Sequence, residues 1–157
     1  MSLVPDISAL VLAGGAGRRF DPSGRRWKLT QALPDGRAVL RASCEALIGQ
    51  VCEVVVVHQA REAEVRRALD GLPVGRVRCA QAAAGMGATL KCGVFSTRPS
   101  TGWLIALGDM PFVAPSTVAA VCEAMRRGAL VVRPVFDGRP GHPVGFRTTL
   151  REELLAI

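Results

Sequence analysis

The sequence predicts a three-layer α/β/α domain built on a mainly parallel sheet. Short aliphatic runs alternate with amphipathic segments along the whole chain. No repeat, linker or low-complexity stretch divides the 157 residues, a length that suits one domain with a real core. The apolar share is 49% and the aromatic share 4%, so that core is mostly aliphatic.

Ile7 to Leu12 is an apolar run of the kind that forms a buried parallel strand. It feeds Gly14, Gly15 and Gly17. Glycine tolerates positive φ and lets a backbone approach a ligand closely. A strand entering such a turn is a place where amide N–H groups converge on phosphate oxygens. Arg18, Arg19 and Lys28 bring cations to the same mouth. Pro34-Asp35-Gly36-Arg37 reads as a turn, and a helix is expected from about Ala38 to Gly49 with Val39, Leu40, Ala46 and Leu47 inward.

Glu53 to Val57 is a strongly apolar second strand. His58 stands at its end, where parallel sheets place functional loops, although a plain strand-end residue is the simpler account. Arg61 to Leu69 reads as an exposed helix with Val65, Ala68 and Leu69 inward, ended by Asp70-Gly71-Leu72-Pro73. Gly75 to Ala80 is the third strand, followed by a small-residue loop, Gln81 to Ala88, that leads into a helix. Trp103 to Leu107 is the fourth strand and ends in Gly108-Asp109-Met110-Pro111. A carboxylate at such a strand end suits a hard cation, and it equally suits the cap of a following turn. Pro115 to Arg127 is a helix and Ala129 to Val135 a fifth strand. A turn and short return strand run from Asp137 to Phe146. A last helix begins at Thr148, with Leu150, Leu154 and Ile157 expected as one apolar stripe.

The formal charge is +7, and all but two of the 20 basic residues are arginine. This surplus suits anionic ligands. A nucleic-acid partner is not expected, because the arginines are scattered, no basic block carries interleaved aromatics, and there is no tyrosine. No apolar run reaches the roughly 18–20 residues of a membrane span. The first six residues show no secretion signal, so the expected location is the cytoplasm, away from membranes. The five cysteines, at 44, 52, 79, 92 and 122, include no Cys-x-x-Cys pair, and with two histidines no zinc framework is readable. Buried free thiols are expected.

The glycine turn is not a P-loop, because Lys28 is followed by Leu29 and lacks the preceding glycine. Nor is it a dinucleotide turn, because Phe20 stands where a third glycine is required. Leu12-Ala13-Gly14-Gly15-Ala16-Gly17-Arg18-Arg19 with Lys28, Gly85-Met86-Gly87-Ala88-Thr89-Leu90, Leu107-Gly108-Asp109-Met110-Pro111 and Gly138-Arg139-Pro140-Gly141-His142-Pro143-Val144 form an ordered set of four motifs. With this set the chain resembles the MobA-like NTP transferases, and within them the molybdenum cofactor cytidylyltransferases.

The resemblance implies a Rossmann-like nucleotidyltransferase fold and Mg²⁺ as cofactor. It implies CTP, in preference to GTP, as donor and the terminal phosphate of molybdopterin as acceptor, with release of pyrophosphate. A molybdoenzyme or its maturation chaperone would be the protein partner. By position, Leu12, Ala13, Gly14, Gly15 and Gly17 would hold nucleotide and phosphates, with Gly85, Gly87 and Thr89 on the base and ribose side. Arg19 and Lys28 would neutralise the triphosphate, Asp109 would hold the metal, and His142 falls to the acceptor side. The Leu-Ala-Gly-Gly form of the first loop is that of the guanylyl branch, so the base stays open between C and G. A sugar- or alditol-phosphate nucleotidyltransferase, and a nucleotide sensor without turnover, are the alternatives. Family members carry further acidic residues beyond the position of Ile157. The resemblance therefore makes this a single domain, residues 1–157, without the family's C-terminal portion, and weak turnover by the chain alone is expected.

Overall fold

Strand β1, Ile7–Ala13, is buried at every residue and lies inside a six-stranded sheet. The computed structural model describes residues 5–15 and 19–157. After β1 come α1 (Val39–Glu45), β2 (Glu53–His58), α2 (Glu62–Ala68), β3 (Gly75–Arg78), α3 (Met86–Ser96), β4 (Gly102–Leu107) and α4 (Pro115–Arg126). The chain then forms β5 (Val131–Val132), β6 (Val135–Phe136), β7 (Arg139–Pro140), β8 (Val144–Arg147) and α5 (Arg151–Leu155). The sheet order is β3-β2-β1-β4-β8-β5. β3, β2, β1 and β4 are parallel, β8 runs antiparallel to both β4 and β5, and β6–β7 is a separate hairpin. The three-layer class read from the sequence is therefore the one observed.

Alternation along β1 explains the layers. Ile7, Ala9, Val11 and Ala13 face a core closed by Leu40 and Cys44 of α1, Val65 of α2, and Val118, Val121, Cys122 and Met125 of α4. Leu10 and Leu12 face the second core, closed by Leu90 and Val94 of α3 and Leu154 of α5. Each fully buried aliphatic side chain contributes about 1.5–3 kcal/mol. The Trp103 indole in this layer donates to Thr97 Oγ1 at 2.8 Å, so its buried N–H is satisfied.

Asp6 fastens the entry of β1. Its carboxylate accepts from the Thr101 hydroxyl just before β4, and from Arg126 Nε of α4 at 2.7 Å. These two bonds, the threonine's first, hold its carboxyl below the usual carboxylate range.

Four details depart from the sequence reading. The first helix ends at Glu45 rather than near Gly49, and residues 46–50 turn, with Gly49 at φ +88°. The expected fifth strand is split into β5 and β6 by Arg133-Pro134, since proline cannot donate to a ladder. At the C-terminal end a 3-10 turn, Thr148–Leu150, precedes α5. This rotates Leu154 into the core but leaves Ile157 61% exposed, so Leu150, Leu154 and Ile157 do not form one buried stripe. Finally, the expectation of free thiols fails for two of the five cysteines. Cys79, just after β3, and Cys92, on α3, form a disulfide with a Cα separation of 5.9 Å. Cys44 and Cys122 are buried and free, and Cys52 is exposed. Burial pushes the Cys44 thiol up to about 12. Among the described residues no helix is long and apolar enough to cross a membrane.

Candidate active site

The register pairs Leu12 with Val57 of β2 and with Leu107 of β4, so the carboxyl ends of three parallel strands share one edge of the sheet. Open parallel sheets bind ligands at that edge. A cleft of about 760 Å³ opens there. Leu12, Ala13, Gly14 and Gly15 form one wall, and Ala82, Gly85, Met86 and Thr89 form the facing wall. Gly85 has φ +124°, a conformation that a side chain resists, and this lets the chain swing from the 3-10 turn Ala82–Ala84 into α3. Thr89, one helical turn on, is buried and donates from Oγ1 to Gly85 O at 3.2 Å.

The floor carries opposite charges. Gly108 N–H donates to Leu12 O at 3.1 Å, and Ser43 Oγ of α1 donates to Gly108 O at 2.8 Å. The peptide before Asp109 is thus held on both sides, which delivers the carboxylate to the cleft. Lys28 Nζ lies 3.2 Å from Asp109 Oδ2, with both side chains about half exposed. The neighbouring Trp27 is buried, and its indole donates to Gly15 O at 3.3 Å. One residue therefore ties the glycine turn to the segment that presents Lys28.

His142 reaches the same edge by another route. Antiparallel pairing sets Val144 opposite Ile105, so residues just before β8 lie beside the exit of β4 and Asp109. Burial lowers the imidazole from its ordinary value, Arg133 adds to this, and Asp109 opposes it. Arg133 Nε donates to Gly141 O at 3.1 Å beside it.

Most of the residues expected from the sequence meet in this cleft: Leu12, Ala13, Gly14, Gly15, Lys28, Gly85, Thr89 and Asp109. Gly87 points elsewhere; a Cβ built on it would lie 3.1 Å from Ile157. Arg19 is exposed in the turn after the glycines and does not form the cleft wall, and His142 is half-buried outside it. Gly17 lies outside the described residues. Gln59 also lines the cleft and belongs to no motif, whereas Ala82 and Ala83 lie in the small-residue loop, and Met86 and Leu107 within the motifs, that the sequence shows. Gln59 follows the end of β2, and that position alone was the available signal.

Comparison with known proteins gives the chain a family. The MobA-like NTP transferase domain matches residues 9–157. This chain belongs to that family. A nucleotidyl transferase from Methanothermobacter is 30% identical with a TM-score of 0.79, covering 96% of this chain and 76% of that one. Mycobacterium tuberculosis Rv0371c, in a complex with manganese, is 26% identical with a TM-score of 0.73, covering 97% and 76%. The 4-diphosphocytidyl-2C-methyl-D-erythritol synthase of Anaerococcus prevotii shares the fold at 18% identity, with a TM-score of 0.71 over 96% and 75%. No curated protein was found to match.

Within this MobA-like domain, Asp109 is the carboxylate of the cleft wall, and no group of three or more His, Cys, Asp or Glu is arranged for a metal among the described residues. That donor set does not fit an all-protein cage. It does fit a hard cation held by one carboxylate and completed by phosphate oxygens and water, the usual pattern for Mg²⁺. His58 has no part in the cleft. It is fully buried, with Nε2 3.1 Å from Glu62 Oε2, yet neither ring nitrogen has a well-aligned hydrogen bond. The distance without the alignment marks a packed strand-end histidine beside a carboxylate.

Proposed function

We propose that this MobA-like protein transfers a cytidylyl or guanylyl group from the NTP to the terminal phosphate of molybdopterin. The observation that carries the reading is the meeting of Lys28 and Asp109 on the cleft floor between the glycine turn and the Gly85–Thr89 wall. In the proposed step an acceptor phosphate oxygen attacks the α-phosphorus and a new P–O bond forms. The bond from the α-phosphorus to the bridging oxygen breaks, and pyrophosphate leaves with its electron pair. Such in-line transfer needs positioning and charge neutralisation rather than a protein nucleophile.

The roles follow from position. The amides of the Leu12–Gly15 wall receive the phosphates, Gly85 and Thr89 border the base and ribose, and Lys28 with Arg19 balances the triphosphate charge. Asp109 would hold the divalent cation, Mg²⁺ in this proposal, which supplies further charge neutralisation when bound. The manganese complex of the mycobacterial protein supports a divalent metal. His142, with Arg133 beside it, takes the acceptor side, and the Gly138–Val144 motif favours molybdopterin over a sugar phosphate. A second reading, nucleotide binding without turnover, is favoured by Asp109 standing without another carboxylate on the cleft wall among the described residues.

The experiment is transfer of label from α-³²P-CTP and α-³²P-GTP, with Mg²⁺ or Mn²⁺, to molybdopterin and to a panel of sugar and alditol phosphates. Labelled dinucleotide from molybdopterin is the expected result. Labelled sugar product would move the acceptor assignment, and tight NTP binding without any product would select the second reading.

A further inference from the structure

We infer that Arg61 is a positioning residue for the segment 19–28 that leads from the glycines to Lys28, acting through Trp27 rather than on the substrate. The inference rests on the nucleotidyl-transfer reading for its ligand.

The need for such a residue is visible in that segment itself. From Arg19 to Arg26 no residue is buried, so no core contact fixes the stretch that leads from the glycines to Lys28. Its own bonds are short-range: Asp21 accepts from the Ser23 and Arg26 amides. The first residue anchored in the core is Trp27.

Arg61 reaches this stretch from the other side of the cleft edge. Its backbone is left-handed, with φ +60° and ψ +39°. Only Asp137 shares a positive φ among the described non-glycine residues, and aspartate tolerates that region far better than arginine does. The strained backbone aims the guanidinium at the turn. Its Cζ lies 5.8 Å from the Trp27 ring centroid, and Nη2 donates to Gly24 O. Nη1 lies 3.2 Å from Glu64 Oε2, which fixes the plane of the group. Trp27 passes the constraint on, because its indole holds Gly15 O and Lys28 follows it in the chain. Arg61, Gly24, Trp27 and Gly15 also border one hollow of about 460 Å³ that shares its Gly14–Gly15 wall with the main cleft. The planar fork lies over the ring at cation–π distance and bonds a carbonyl and a carboxylate at once, which a lysine ammonium cannot reproduce.

The test compares the full chain with Arg61→Gly and Arg61→Lys. Glycine accepts the left-handed backbone, so the first variant keeps the fold. Hydrogen exchange is read without ligand over residues 19–28, and CTP and GTP affinities are read by calorimetry with Mg²⁺. Both variants are expected to exchange about tenfold faster in that segment and to bind triphosphate about tenfold more weakly, since affinity scales with the fraction of turns correctly placed. In the transfer assay KM should rise while kcat stays within about twofold. Unchanged exchange in Arg61→Gly would overturn the inference. So would wild-type affinity in Arg61→Lys, which would make Arg61 a plain charge facing the phosphates. A wild-type chain that binds neither nucleotide would instead overturn the functional reading, and this inference with it.

Discussion

The Nζ of Lys28 lies 3.2 Å from Oδ2 of Asp109, an ion pair closed across 81 residues of sequence. Exposed pairs of this kind contribute about 0.2–1 kcal/mol, so the pair yields readily to a ligand that competes for both partners. Lys28→Met should leave the thermal midpoint almost unchanged. It should weaken CTP or GTP binding by roughly 10–100-fold, the worth of a charge-assisted hydrogen bond, while leaving nucleoside binding alone. Arg19→Ala should show the same split more weakly, being outside the cleft wall. Asp109→Asn should keep the fold and lose turnover by roughly a hundredfold or more. Calorimetry with nucleoside and triphosphate side by side checks the first two. Equal loss for both ligands would remove Lys28 from the phosphate site.

The Cys79–Cys92 disulfide encloses the segment that supplies Ala82, Gly85 and Thr89 to the cleft. Closing a loop of this size stabilises a domain by roughly 2–4 kcal/mol. Reduction, or Cys92→Ser, should therefore lower the thermal midpoint by roughly 5–12 °C. Alkylation of the unreduced, denatured protein followed by mass spectrometry should label Cys44, Cys52 and Cys122 alone. Five labelled cysteines would show that the pair stays reduced.

Asp6 sets an acid limit on stability. Its folded carboxyl sits below the ordinary value of 3.8, held there first by the Thr101 hydroxyl and then by Arg126. A lowered carboxyl stabilises the fold fully above the unfolded value, and that contribution is lost as pH falls through the folded one. Unfolding free energy should drop from about pH 4 downward, and Asp6→Asn should flatten part of the drop while costing roughly 1 kcal/mol near neutrality. Urea titrations of both proteins from pH 7 to pH 2.5 measure this. Parallel curves would release Asp6 from the role.

What the sequence made legible was local. An apolar run ending in glycines gave β1 and the Gly14–Gly15 exit that lines the cleft, and a carboxylate after Trp103–Leu107 gave Asp109 on the cleft wall, because both signals lie within a few adjacent residues. Gly87 stands outside the cleft lining because Gly85 and Thr89 are one helical turn apart, whereas Gly87 lies on the opposite side of that turn, a placement that follows from the helical period. The disulfide had no local sign, since Cys79 and Cys92 meet only when α3 packs over the end of β3. The place of β8 between β4 and β5 was equally hidden, because strand order is set by long-range pairing. Pro134 carried a local sign of the break in the fifth strand, which the reading of one strand from Ala129 to Val135 passed over.

Gly14 offers a test of how closely the two cleft walls are fitted. A Cβ on Gly14 would lie 2.5 Å from Thr89 Oγ1 and 2.8 Å from Ala82 Cβ, distances that force one wall to move. Neither neighbour can give way alone. Thr89 is buried and its hydroxyl is committed to Gly85 O, and Ala82 has no rotamer to change. Gly14→Ala should therefore cost about 1–3 kcal/mol, the usual range for overpacking, and should widen the cleft by pushing the exit of β1 from α3. Thr89→Ala removes one of the two clashes at the price of its hydrogen bond. The Gly14→Ala/Thr89→Ala double variant should then be more stable than the sum of the single losses by at least roughly 0.5 kcal/mol, the signature of residues in contact. Nucleotide affinity should recover in the same order. Strict additivity in denaturant unfolding would mean that the walls are not in contact at Gly14.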